Sequence, residues 1–103
     1  MSHVRPGILV RDNHDRPGLL VHPQPRPSKS WLKAQTDRRV AATPEDDTWW
    51  HVLCLDGGAI VCPESLLTVL GPPSEADIAH AMAHANAAGR QTLTTLFPST
   101  SQR

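Results

Sequence analysis

Short apolar runs alternate with turn-forming residues along the first two thirds of the chain, and this pattern predicts short β-strands. Residues 8–10 and 19–21 are two such runs, and each follows Arg-Pro-Gly, so that one hexapeptide pattern recurs eleven residues later. Proline presets φ and glycine accepts a positive φ, so Pro-Gly favours the central positions of a type II turn. The repeat therefore predicts two turns that each lead into a strand.

A proline-rich segment, residues 22–30, interrupts this pattern. Pro23, Pro25 and Pro27 would remove alternate donors from a ladder, which predicts an irregular loop. After it, residues 31–36 and 39–42 are predicted as strands.

The most informative segment is residues 49–70. An apolar run is followed by Asp56-Gly57-Gly58, which predicts a hairpin because adjacent glycines supply the positive φ angles of primed turns. The next apolar run returns as the partner strand, and a 3₁₀ turn and a closing strand follow. Both faces of this hairpin are apolar, whereas a barrel wall usually has one polar face. We therefore expect the second face to be covered, by a helix or by another subunit.

A helix is predicted near the C-terminus, at about residues 75–89. Ser74 and Asp77 have the spacing of a capping box, an apolar stripe follows at helical spacing, and Gly89 is a typical C-terminal stop. We expect this helix to pack on the strands.

Length and composition indicate one small domain with short strands. The chain has 103 residues with ten prolines and six glycines. The predicted organisation is a barrel over residues 1–72, a helix and extension packed on it over residues 73–98, and a tail over residues 99–103. Neither a signal-peptide pattern nor a membrane-length apolar stretch is evident, so we expect a bacterial cytoplasmic protein with no membrane partner.

Residues 49–70 resemble the second half of an SH3 domain, which has a tandem Trp, a glycine hairpin, a proline, a 3₁₀ turn and a closing strand. The resemblance implies a mainly β, five-stranded SH3-like barrel, here with one C-terminal helix. In that family a Trp, a Pro and a Tyr line a groove for proline-rich peptides, and the matching positions are Trp49, Pro63 and Leu66. Leu66 replaces the Tyr.

A second, topological likeness is to type II dihydrofolate reductases, which assemble such barrels into homotetramers. The strand that carries Gln and Tyr in that family has neither residue here, so the likeness implies no activity. It does imply that a barrel of this kind can depend on oligomerisation.

Aromatic and apolar side chains define the main candidate surface, because Trp is enriched at binding hot spots and exposed apolar patches mark interaction sites. We predict a non-enzymatic module that binds a protein partner or a second copy of itself as a homo-oligomer. The candidate partner-binding residues are Trp49, Trp50, Trp31, Leu53, Leu55, Pro63 and Leu66.

Charge is unevenly distributed and supports an alternative. Residues 1–42 carry eight basic and three acidic side chains, whereas residues 43–77 carry seven acidic and no basic ones. The first alternative is a small barrel that binds nucleic acid through phosphate contacts from Lys29, Lys33, Arg38 and Arg39. A second alternative is a small oligomeric enzyme with a pocket at subunit contacts.

No catalytic motif stands out, and we predict neither catalytic residues nor a cofactor. Asp77, His80 and His84 have metal-ligand spacing, but they lie opposite the apolar stripe and lack a fourth ligand, so a solvated helix face is the preferred interpretation. Cys54 and Cys62 flank the hairpin. A direct ladder register does not place them opposite each other, which predicts two buried free thiols.

Overall fold

Five antiparallel strands form one sheet in the computed structural model, which describes residues 4–98. The strand order is β4-β3-β2-β1-β5, and a 3₁₀ turn at Glu64–Leu66 connects β4 to β5. The strands are β1 (Leu9–Arg11), β2 (Pro17–Gln24), β3 (Trp49–Cys54), β4 (Ala59–Pro63) and β5 (Thr68–Gly71).

The prediction of five antiparallel strands is confirmed, but the sheet is not closed into a barrel. The hydrogen-bonded order ends at β4 on one side and β5 on the other, because β5 pairs with β1 and no described ladder joins it to β4. The mainly β assignment is also wrong, since 35% of the chain is helical and 27% is in strands. The fold is a small mixed α/β domain whose sheet is compatible with a barrel-like arrangement.

Two short helices replace the strands predicted between residues 30 and 42. They are α1 (Lys29–Lys33) and α2 (Arg38–Ala41). The Ser28 side chain accepts a hydrogen bond from the backbone N–H of Trp31, and the Asp37 side chain accepts one from Arg39. These N-caps satisfy orphan backbone donors and favour a helical start over an extended chain.

The single predicted C-terminal helix is two helices, α3 (Glu75–His84) and α4 (Ala87–Leu96). The predicted capping box at the start of α3 is confirmed. The break comes at Ala85, which is extended, and at Asn86, whose side chain accepts a hydrogen bond from the Gly89 N–H at 2.8 Å. Gly89 therefore lies in the first turn of α4 and does not end a helix. The tail predicted at residues 99–103 lies outside the described residues.

The proline-rich loop is shorter than the predicted residues 22–30, because β2 continues to Gln24 and α1 begins at Lys29. Pro23 lies opposite Trp50 in the ladder with β3, just after a register shift. On the other side of β2, strand β1 pairs with β2 only as far as Leu19. Pro23 therefore has no partner strand on that side, and its missing N–H removes no ladder hydrogen bond there.

Both faces of the sheet are covered, as the two apolar faces of the hairpin predicted. One face forms a core of Ile8, Val10, Leu20, Trp50, Val52 and Cys62. On the other face, α3 and α4 cover one part and α1 and α2 cover a second part. The clusters there are Leu19, Leu53 and Leu55 with Ala81, Ala85 and Leu93, and Trp49 with Leu32 and Val40.

Candidate binding groove

The aromatic and apolar residues predicted to bind a partner lie mostly in the interior. The exposed fraction is 1% for Trp49 and 6% for Trp50, against 39% for Trp31. Leu53, Leu55 and Pro63 are buried and Leu66 is half-buried. Of the seven candidates, only Trp31 therefore offers a large exposed side chain.

The two neighbouring tryptophans of β3 point to opposite faces of the sheet, as successive strand residues do. Trp50 lies in the core with Val52, and its Nε1 donates to Glu64 Oε1 at 3.0 Å. Trp49 lies beneath α1 and α2, and the Trp31 ring meets it edge-on with centroids 6.0 Å apart. Trp31 is thus the exposed member of an aromatic pair whose other member is fixed in the interior.

Trp31 lines a surface groove of about 400 Å³. The floor comes from β3 and β4, one wall from the α1–α2 segment, and the rim from the loop between β1 and β2. The lining residues are His51, Ala59, Ile60 and Val61 from the floor, Trp31, Gln35 and Val40 from the wall, and Asn13, His14 and Arg16 from the rim.

The rim is shaped by the buried carboxylate of Asp12. Its Oδ1 accepts hydrogen bonds from the backbone N–H groups of His14 at 2.7 Å and Arg16 at 3.0 Å. Its Oδ2 lies 3.4 Å from Arg16 Nε and has no hydrogen-bond partner among the described residues. A short Asx-type arrangement therefore holds both the loop backbone and the Arg16 side chain.

The rim is also tied to the wall. Arg39 donates to the backbone oxygen of Asn13 at 2.7 Å and pairs with Asp37 at 3.0 Å, while Asn13 Nδ2 donates to Asp37 at 3.2 Å. The hydrogen bonds from Arg39 and Asn13 hold the pKa of Asp37 well below its usual range. The loop and α2 thus act as one side of the groove.

His51 occupies the floor and stacks on His22, with ring centroids 5.2 Å apart and planes 15° apart. Gln24 Nε2 lies 3.4 Å from His51 Nδ1. Burial, and then the neighbouring His22, lower the pKa of His51. At neutral pH this side chain is therefore an uncharged hydrogen-bonding group in the floor.

Sequence reasoning missed most of the groove. Of the lining residues, Trp31 alone was predicted from the sequence to bind a partner. No local pattern marks these positions, because loop, helices and strands far apart in the chain supply them. The one available signal was Trp31, a Trp in a polar neighbourhood.

The four cations proposed for nucleic acid are all exposed, and Arg39 also pairs with Asp37 and donates to the backbone oxygen of Asn13. Residues two apart on a helix do not share a face, so Lys29 and Lys33 lie on the flank of α1 away from Trp31.

The candidate metal residues are engaged in other contacts. The Asp77 carboxylate accepts from the Ser74 N–H at 2.9 Å in the capping box. His80 Nε2 lies 2.7 Å from Asp56 Oδ1, and the His80 and His84 rings are 4.4 Å apart. Within residues 4–98, no group of three or more potential ligands could hold a metal ion.

The two cysteines are buried and free, as the ladder register predicted. Cys62 lies opposite Trp50, and Cys54 is bonded through its backbone to Gly58 at the turn. Burial raises the pKa of Cys62 to about 12, although a hydrogen bond from the Asn13 backbone acts in the opposite direction. Burial also raises the pKa of Cys54. Neither thiol is activated as a nucleophile.

Comparisons with protein-family models, with curated proteins and with solved structures found no match to this chain. No helix in the described part of the chain is long and apolar enough to cross a membrane.

Proposed function

We propose that this chain is a non-enzymatic, SH3-like protein-binding module whose groove beside Trp31 holds an extended segment of a partner protein. The SH3-like assignment is supported by the order of features along the chain. The tandem Trp opens β3, Gly57 and Gly58 make the turn to β4, and the 3₁₀ turn after Pro63 leads to β5 beside β1.

The observation that carries this proposal is the exposed but supported Trp31. Trp31 is 39% exposed, yet Trp49 contacts its ring edge-on and Ser28 caps its helix. A large side chain that is already held in place loses little conformational entropy on binding. Trp is also among the residues most enriched at binding hot spots.

The floor of the groove suits an extended chain. β4 is an edge strand that pairs only with β3 in the described sheet, and its residues Ala59, Ile60 and Val61 line the groove. An edge strand presents backbone donors and acceptors that an added strand can pair with. Main-chain pairing would supply affinity, and Trp31 would select a side chain.

This groove differs from the peptide groove that the resemblance implies. Trp49 and Pro63 are buried under α1 and the strand ends, and Leu66 is half-buried against them. The α1–α2 segment therefore covers the place where the SH3 family has its peptide groove, and Trp31 offers an exposed aromatic surface instead.

Selection from a random dodecapeptide library on the immobilised chain tests the proposal, with the affinity of the enriched peptides then measured by calorimetry. We expect Trp31→Ala to weaken binding at least about tenfold, the loss typical of a hot-spot aromatic residue. Lys33→Ala, on the other flank of the same helix, is the matched control and should bind like the original chain.

Two results would overturn the proposal. One is a library from which no peptide is enriched, or from which the enriched peptides bind Trp31→Ala equally well. The other is a dimer in light scattering that Trp31→Ala dissociates, which would assign the groove to a second copy of the chain.

A further inference from the structure

We infer that the segment bound in the groove carries a side-chain carboxylate and that Arg16 binds it. This inference rests on the proposed function and specifies the chemistry of the partner.

The charge of the lining favours an anionic ligand. The titratable side chains that line the groove are His14, Arg16 and His51, and no carboxylate lines it among the described residues. Arg16 keeps its charge at any ordinary pH, whereas His51 is uncharged at neutral pH. Complementary charge favours an anionic group in the bound segment and disfavours a cationic one.

The carboxylates around the rim already have partners. Asp12 holds the loop backbone and lies 3.4 Å from Arg16 Nε, so it balances part of that charge. The others pair as follows: Asp15 with Arg11, Asp37 with Arg39, and Asp56 with His80. The exposed guanidinium of Arg16 is therefore the charge that the lining itself presents to a ligand.

The placement of Arg16 also favours a bound carboxylate. Its Nε lies 3.4 Å from Asp12 Oδ2, and its side chain remains 54% exposed. A guanidinium has five N–H donors in a planar fork, and the Asp12 contact uses the Nε edge. No hydrogen bond within residues 4–98 engages its terminal nitrogens, so they remain available for an incoming carboxylate. Asp12 restrains Arg16 and so reduces the entropy lost when the second carboxylate binds.

The two anchors specify the partner further. An acidic side chain at the rim and an apolar or aromatic one against Trp31 would both lie on the side of the strand that faces the groove. The uncharged His51, which also lines the groove, can accept or donate a further hydrogen bond. The expected ligand is an extended peptide with an aspartate or glutamate near an apolar residue.

The same dodecapeptide selection tests this inference. We expect Asp or Glu to be enriched at one position of the selected peptides relative to the unselected library. For the tightest peptide, Arg16→Gln should raise Kd about tenfold, the effect of losing one charge-assisted hydrogen bond. Replacing the peptide Glu by Gln should do the same, and the two changes together should cost little more than either one. Arg38→Gln, an exposed arginine outside the lining, should leave Kd unchanged.

Several outcomes would overturn the inference and leave the proposed function standing. Peptides that require Trp31 but show no acidic enrichment would do so, as would an unchanged Kd in Arg16→Gln. Peptides that lose binding on C-terminal amidation but tolerate Glu→Gln would assign the anion to a chain terminus. If no peptide is enriched, both proposals fail together. Melting temperatures of Arg16→Gln and Arg16→Lys equal to that of the original chain would show that the rim remains folded. Arg16→Lys should recover only part of the affinity, because lysine lacks the planar fork.

Discussion

The two copies of the Arg-Pro-Gly motif have the same three residues and different conformations. In the first copy Gly7 has a φ of 88° and the Ile8 N–H donates to the Arg5 oxygen at 3.3 Å, which closes a turn. In the second copy Pro17 and Gly18 begin β2, and Gly18 is buried in the sheet. The same local signal thus produces a turn in one place and a strand in the other.

The copies also present their apolar residues to opposite faces of the sheet. The register pairs Leu9 with Leu19 and Val10 with Gly18, so residues on one face have numbers of the same parity. The copies are offset by eleven residues, an odd number, so equivalent positions face opposite sides. Ile8 therefore packs in the core with Trp50, whereas Leu19 packs towards α3 and α4. Strand pairing, and not the motif, decides where each side chain goes.

The largest effect that follows from this difference is expected for Gly18→Ala. An added Cβ would lie 2.7 Å from Val52 Cγ1 and 3.0 Å from the backbone oxygen of Leu53. The backbone contact cannot relax by a simple rotamer change, so we expect unfolding free energy to fall by about 3 kcal/mol. Urea denaturation measures this loss, and a loss no larger than that of Gly7→Ala would contradict the packing explanation.

A smaller effect is expected for Gly7→Ala. Here the positive φ of the backbone causes the loss, because the surroundings leave room for an added Cβ. The nearest atoms to an added Cβ belong to the Phe97 ring at 3.7 Å, which is ordinary contact. The positive φ should cost an alanine about 1 kcal/mol. Gly7→Asn should lose less, because asparagine tolerates this region. Equal losses in the two variants would argue against the turn as the cause.

The smallest expected effect is a dependence of stability on pH, which distinguishes the strands that follow the two motif copies. The strand of the second copy continues to His22, which stacks on His51, whereas the strand of the first copy ends at Arg11. The folded-state pKa of His51 is lowered from its ordinary 6.5, so the unfolded chain binds its proton first as pH falls. Unfolding free energy should therefore decline as pH falls through 6.5.

His51→Gln should flatten this part of a stability profile measured by chemical denaturation between pH 7.5 and 5.5 (a range of about one unit either side of the ordinary histidine pKa). The pKa values of Asp37 and Asp56 are lowered from the ordinary 3.8, so these groups change the unfolding free energy only at a more acidic pH, outside this range. An unchanged slope in His51→Gln would mean that another group titrates here.

The parts of the fold that could be predicted are those in which local residues determine the backbone. Gly57 and Gly58 make the predicted turn, and Ser74 and Asp77 make the predicted capping box. The strands predicted after the proline-rich loop failed because Trp31 and Leu32 are compatible with either structure. Their caps, Ser28 and Asp37, and the packing of Leu32 on Trp49 determined the outcome.

The candidate site was harder to predict for a different reason. The tandem Trp suggested an exposed aromatic surface, but the burial of Trp49 and Trp50 depends on which elements cover each face of the sheet. Arg16 and His51 come together only through the loop that Asp12 organises and the pairing of β2 with β3. Such tertiary placement leaves no mark in the spacing of residues along the chain.

The shortness of α1 and α2 has a consequence for any ligand of the groove. Helices of five and four residues are not stable alone, so this wall stays closed through its caps and through Leu32 and Val40 on Trp49. The wall can therefore open while the sheet remains folded. The measured dissociation constant then equals the intrinsic one divided by the fraction of molecules with the wall closed. A substitution at the hidden Trp49, or the loss of the Ser28 cap, would therefore weaken binding without touching the ligand.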